Sequence, residues 1–270
     1  MIVCSRTIGR KAMSSRAICH WAISNGSMRI GIVAGLLSAS TAAPVYAEPN
    51  DYMRTPVVEY GEREIDFKSG QQYNRDGRSE SANSIGFGFT PTSWWFTELY
   101  TKYAKPPGET NGFDAWEWEN RVQLTETGQY PVDTGFLLEI ERPKNRDEGY
   151  QFTYGPMFQS EWGKIQGNFN VFLQKNIKAA ESLEAELHYQ VQLKYRDSEK
   201  LEWGTQAFGN LGRWDHWNAA SERELKIGPA LFGKVRLGIK KAVTWNTAIL
   251  VGTTNATPNY TLRLQAEYEF

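Results

Sequence analysis

Leu183-Glu184-Ala185-Glu186-Leu187-His188-Tyr189-Gln190-Val191-Gln192-Leu193-Lys194-Tyr195 is apolar at every odd position and polar at every even one. Successive side chains of a strand point to opposite faces, so this stretch makes a ribbon with one greasy side and one wet side. Ile165 to Leu173 repeats the design, and only Phe172 breaks the polar set. Trp116, Trp118, Val122 and Leu124 oppose Glu117, Glu119, Arg121 and Gln123, and Phe136, Leu138 and Ile140 alternate with Glu139 and Glu141. Between such runs lie clusters of Gly, Pro, Asn, Asp and Ser, and no helix-period segment follows Val57. The pattern predicts about twelve strands, over 57–71, 82–90, 94–104, 113–125, 133–142, 150–161, 165–176, 183–195, 201–210, 222–232, 241–252 and 260–270. Pro229 and the glycines from Phe232 to Gly238 blur the register of the tenth and eleventh.

The 270 residues carry 30 basic and 31 acidic side chains, 13 % aromatic residues and a mean hydropathy of -0.54. The charge is unevenly placed. Arg6, Arg10, Lys11, Arg16 and Arg29 precede the first acid, Glu48, so 25 basic residues face 31 acidic ones from Glu48 onward. That balance excludes the basic patch a nucleic-acid binder needs. Cys4 and Cys19 also precede Glu48, which leaves the rest without a disulfide, a thiolate metal ligand or a thiol nucleophile. Met28-Arg29, the apolar run Ile30 to Leu37 and the small-residue end Val45-Tyr46-Ala47 have the order of an export signal. Residues 1–47 are therefore expected to be a cleaved signal peptide, with Met28 a possible true start. Residues 48–56 follow as a short periplasmic segment, and 57–270 as the barrel.

No run of about 18 apolar residues exists, which excludes a helical span. Barrel strands escape that test, since only every second residue meets lipid. Many of the predicted strands reach ten residues, about what a tilted strand needs to cross a bilayer. Tight connections, Thr90 to Ser93 and Trp162 to Lys164, alternate with longer polar ones at Lys105 to Gly112, Pro143 to Gly149 and Leu211 to Ser221. Alternation alone does not say which side is inside. A soluble barrel would turn the apolar side inward, but eight strands already fill such a barrel, and twelve lined with Leu, Phe and Tyr would enclose an apolar void. Aromatics near the strand ends, among them Trp94, Trp95, Tyr100, Tyr103, Trp116 and Trp118, fit interfacial girdles instead.

The chain closes on Tyr260-Thr261-Leu262-Arg263-Leu264-Gln265-Ala266-Glu267-Tyr268-Glu269-Phe270, again alternating and ending on an aromatic residue. Here it resembles Gram-negative outer-membrane β-barrel proteins, whose last strand ends in a terminal aromatic. The resemblance implies an all-β, antiparallel up-and-down transmembrane barrel in outer-membrane lipid. It also implies that Tyr268 and Phe270 carry the signal read by the barrel-assembly machinery. Within that class the mature part is similar to proteobacterial barrels of the phenol-degradation MetA-pathway kind.

With lipid outside, the polar residues line a lumen. The candidates are Glu117, Glu119, Arg121, Glu139, Glu141, Glu184, Glu186, His188, Lys194 and Arg263. A turn centred near Gln129 sets Glu117 opposite Glu141 and Glu119 opposite Glu139. Directly opposed like charges on one face are destabilising unless something compensates. One reading is a cation-attracting pore wall. The other is a packed polar plug in which Arg121, Lys194 or Arg263 neutralises the ladder. His188 lacks a nucleophile on the neighbouring polar faces, and His216, in Gly212 to Asn218, lies in an outer loop. Two such separated histidines form no metal motif. The sequence thus favours a narrow channel or transporter for a small solute, non-enzymatic and without cofactor or metal. A lipid- or lipopolysaccharide-modifying enzyme and a non-conducting surface protein are the alternatives.

Overall fold

The computed structural model describes residues 48–239 and 241–270. The expected signal peptide, residues 1–47, lies outside them. The strands are β1 (Arg63–Tyr73), β2 (Ser79–Thr92), β3 (Trp95–Lys105), β4 (Gly112–Gln123), β5 (Asp133–Pro143), β6 (Tyr150–Trp162), β7 (Ile165–Ile177), β8 (Glu186–Ser198), β9 (Leu201–Arg213), β10 (His216–Trp217), β11 (Glu224–Arg236), β12 (Ala242–Gly252) and β13 (Tyr260–Glu269). β10 is a two-residue strand that folds the loop after β9 back onto Gly212 and Arg213. The other twelve each pair antiparallel with the next, and β13 pairs with β1 from Glu64↔Glu269 to Tyr73↔Tyr260. The sheet therefore closes on itself and leaves no edge strand.

The alternation resolves with the greasy side out. Ile65, Phe67, Ile85, Phe87, Phe89 and Leu99 keep 41–53 % of their surface exposed, while the neighbouring Glu64, Asp66, Lys68 and Glu98 keep 4 % or less. Such a band is stable only against hydrocarbon, because water would leave it unburied. Trp94, Trp162 and Trp203 ring the outer surface near the end where β1 starts, and Tyr103, Trp116 and Tyr150 ring it near the other. Among the described residues, no helix is long and apolar enough to cross a membrane. At the end where β1 begins and β13 finishes, the β2–β3, β6–β7 and β8–β9 connections are tight turns. The connection 124–132 is the longer exception there, and the opposite end carries the loops 106–111, 144–149, 178–185 and 214–223.

Two strand starts depart from the sequence expectation in ways that bear on the lumen. The first strand, expected from residue 57, starts at Arg63, because a turn in which Glu62 N–H donates to Glu59 O (3.2 Å) redirects the chain at Gly61, whose φ is +84°. Residues 48–56, expected as a short periplasmic segment, run along the inner face of the wall. β8, expected from residue 183, begins at Glu186 opposite Gln174, the last residue of β7 that faces it. Glu184 therefore lies exposed in the loop 178–185 and does not line the lumen.

Candidate functional site

Neighbouring strands bring their inward residues into lateral rows. One row reads Glu269, Glu64, Gly88, Glu98, Glu119 and Glu139 across β13, β1, β2, β3, β4 and β5. The next reads Glu267, Asp66, Gly86, Tyr100, Glu117 and Glu141. Nearly half of the wall is thus a field of carboxylates, most of them buried. The two β2 glycines make the room: a Cβ on Gly86 would lie 2.4 Å from the Tyr100 ring and 2.6 Å from Glu98 Oε1, and one on Gly88 would lie 2.4 Å from Phe96. The opposite wall is built from amides that satisfy one another. Asn168 donates to Gln159 (2.9 Å), Gln192 to Asn168 (3.2 Å) and Gln206 to Gln192 (2.6 Å).

Between these walls runs the chain's own N-terminal segment, residues 48–62. Pro49 and Pro56 deny it a regular ladder, so its backbone groups need side-chain partners. The wall supplies them. Asn170 Nδ2 donates to Arg54 O (2.8 Å), Val58 N–H donates to Gln123 Oε1 (2.7 Å), Lys226 Nζ donates to Glu48 O (2.7 Å), and Arg263 donates to Asp51 O. Two further glycines admit the backbone: a Cβ on Gly70 would stand 2.0 Å from Pro49 O, and one on Gly135 would stand 2.8 Å from Pro56 Cβ.

Side chains of the segment meet the acidic wall. Arg54 Nε lies 3.0 Å from Glu119 and the same guanidinium bonds Glu139, while Tyr52 Oη donates to Glu119. Lys102 sits 2.6 Å from Glu48 and 3.1 Å from Glu117, and also bonds Glu141. Arg121 Nε lies 3.2 Å from Glu119, and Lys226 lies 3.2 Å from Asp51. The ladder Glu117–Glu141 and Glu119–Glu139 has the register that the turn implies, and each of its four carboxylates meets one of three cations. The oxygens of Glu117, Glu119 and Glu139 come within 4.8 Å of one another, close enough for a metal ion. Arg54 and Lys102 already meet them with positive charge.

Arg121 acts on the ladder as expected, but Lys194 and Arg263 do not. Lys194 pairs across its hairpin with Glu202 at 3.1 Å, and Arg263 holds the N-terminal segment and Asn246. His188 faces inward with Glu186 3.6 Å away, and Glu186 also accepts from Asn210 (2.7 Å). No hydroxyl or thiol bonds His188 among the described residues. His216 is exposed on β10. Tyr268 and Phe270 stack at 5.6 Å on the outer end of β13, where Phe270 N–H donates to Arg63 O (2.9 Å).

The segment leaves space on both of its sides. Toward the long loops a cavity of about 100 Å³ is lined by Glu48, Asp51, Gln151, Gln174 and His188. Toward the strand-start end a vestibule of about 470 Å³ is lined by ten acids and five bases. At its rim, burial pushes the carboxyl of Glu62 up to about 7 against the pull of Arg121.

A closed twelve-stranded antiparallel wall, apolar outside and polar inside, meets solved structures of one kind. A COG4313 outer membrane channel from Pseudomonas putida F1 superposes with a TM-score of 0.57 at 11 % identity, over 83 % of this chain and 100 % of that one. The fold is that of an outer-membrane β-barrel. The translocator domain of the autotransporter NalP from Neisseria meningitidis is a more distant likeness, at a TM-score of 0.48 and 14 % identity over 79 % of this chain and 90 % of that one. No family model and no curated protein matches the barrel by sequence.

Proposed function

We propose that this barrel is a narrow channel for a small solute across the outer membrane, constricted by its own N-terminal segment. The observation that carries the reading is the pair of polar cavities lying on either side of residues 48–62. A barrel whose interior served only as a core would have no need of a vestibule of about 470 Å³. The strand-start end then faces the periplasm, residues 1–47 serve as the cleaved export signal, and Tyr268 and Phe270 address the assembly machinery. The similarity to barrels of the phenol-degradation MetA-pathway kind belongs to this reading and rests on the mature sequence alone.

Planar-bilayer recording tests it. The wild-type barrel is expected to give small, reproducible conductance steps, and a variant lacking residues 48–58 steps several-fold larger. Silence from both would sink the channel reading. The dense seating of the segment would then favour a non-conducting surface barrel.

A further inference from the structure

The nine carboxylates of the two acidic rows are unequally compensated. Glu119, Glu139, Glu117 and Glu141 meet Arg54, Lys102 or Arg121, as described. Asp66 meets Lys68 at 3.2 Å and Glu269 meets Lys234 at 2.8 Å. Three remain. Glu64 is 4.0 Å from Arg121, whose Nε already serves Glu119, and Glu98 and Glu267 have no ion pair among the described residues. Glu98 is 2 % exposed and its Oε1 has no hydrogen-bond partner; the same holds for Oδ1 of Asp66, at 1 % exposure. All four residues line the vestibule of about 470 Å³. Asp66 is held through its other oxygen by Lys68, Tyr100 and Gln265, so the patch that remains open is Glu64, Glu98 and Glu267. Burying carboxyls without a cation is costly, and they point to a ligand that supplies positive charge from the vestibule side.

The layout selects the kind of cation. Glu267, Glu64 and Glu98 stand on β13, β1 and β3, and neighbouring strands lie about 4.8 Å apart, so the uncompensated charge extends over three strand spacings. The one set of three or more such oxygens close enough together for a single ion, among the described residues, is the Glu117, Glu119 and Glu139 trio that Arg54 and Lys102 already meet. Glu64, Glu98 and Glu267 form no such trio, so a single metal ion does not reach all three. A linear organic polycation answers several at once. The vestibule has the volume of a small-molecule site, and its other cations are taken: Lys194 and Arg196 meet Glu202, and Arg236 meets Glu199.

We propose that the inner vestibule is a binding site for linear polyamines, aliphatic chains carrying several ammonium groups, held by Glu64, Glu98 and Glu267 with Asp66. The site rests on the polar-inside orientation of the barrel and does not require that the barrel conduct. Isothermal titration of spermidine into the refolded full-length barrel, at low ionic strength, reads it directly. The expected result is saturable binding that propylamine and equimolar Mg²⁺ do not displace. In Glu98→Gln/Glu267→Gln the affinity falls at least tenfold, whereas Glu184→Gln, in the exposed loop, leaves it unchanged. Folding of each variant is checked by its altered electrophoretic mobility before and after boiling. Absence of saturable binding to the wild-type barrel overturns the proposal, as does undiminished binding to the folded double variant. Displacement by equimolar Mg²⁺ also overturns it, and would assign the patch to a metal ion. Conductance is not part of the readout, so failure of the site and failure of the channel reading are told apart.

Discussion

Arg54 carries the charge balance at the centre of the lumen. Its guanidinium is shared between Glu119 and Glu139, which are 0 % and 5 % exposed and directly opposite each other on β4 and β5. Removing one member of such a buried set costs roughly 3–5 kcal/mol, because the remaining charges are left bare. Arg54→Ala is therefore expected to lower the temperature at which the barrel loses its fast-migrating folded form, and to enlarge its conductance. Arg54→Lys, which keeps the charge but loses the planar fork, should fall between. Gly70→Ala separates shape from charge. Its Cβ would sit 2.0 Å from a backbone carbonyl of the segment, with no flexible side chain to yield, so the segment must shift although every ion-pairing group is intact. A conductance increase in Gly70→Ala without a change in ion preference is the expected outcome. The acidic partners of Arg54 were legible from the turn alone. Arg54 itself was not, because its contacts span 65 and 85 residues and no local pattern encodes them. Lys102 was hidden for a related reason, since the register between β3 and β4 shifts between Lys102 and Tyr103.

At the scale of elements, period-two alternation located all twelve wall strands, and most ends fall within two or three residues of expectation. It worked because each strand has one face in hydrocarbon and one in the lumen, and each side of that partition selects its residues independently. It failed where the chain leaves the wall. Val57-Val58 reads as the start of a strand, yet Val58 is buried inside and Gly61 turns the chain before pairing begins. A pattern of polarity does not distinguish a residue facing inward from one lying wholly inside. The last element carries its own prediction. Phe270 N–H makes the terminal bond of the β13–β1 seam and its ring stacks on Tyr268. Deleting Phe270 removes both, at the one pairing that joins the two ends of the chain. The fraction of protein recovered from outer membranes in folded, heat-modifiable form is expected to fall severalfold, while the same variant refolded in detergent still closes. Equal recovery from membranes would deny Phe270 any part in assembly.

Taken whole, the lumen is a dipolar tube, with carboxylates from β13 through β5 and mutually hydrogen-bonded amides from β6 through β9. The N-terminal segment is the strap between the two, its side chains meeting the acids and its backbone bonding Asn170, Gln123, Lys226 and Arg263. At mid-depth every acid of the ladder meets a cation, whereas Glu98 and Glu267 at the strand-start end, where the vestibule lies, meet none among the described residues, so the field there should depend on pH. Glu62 sits at that rim outside the strands, with Glu59, Glu269, Lys234 and Arg121 acting on it. Its carboxyl titrates near 7, so it is largely neutral at pH 6 and largely charged at pH 8. A raised carboxyl gains its negative charge as pH rises through that value, which deepens the negative potential of the vestibule. Spermidine affinity should therefore increase from pH 6 to pH 8, and the increase should shrink as salt screens the rim. Glu62→Gln should reduce that dependence, because one of the carboxyls acting on the vestibule no longer titrates. If the slope survives in Glu62→Gln, the titrating group lies further inside, and the rim takes no part in admitting cations.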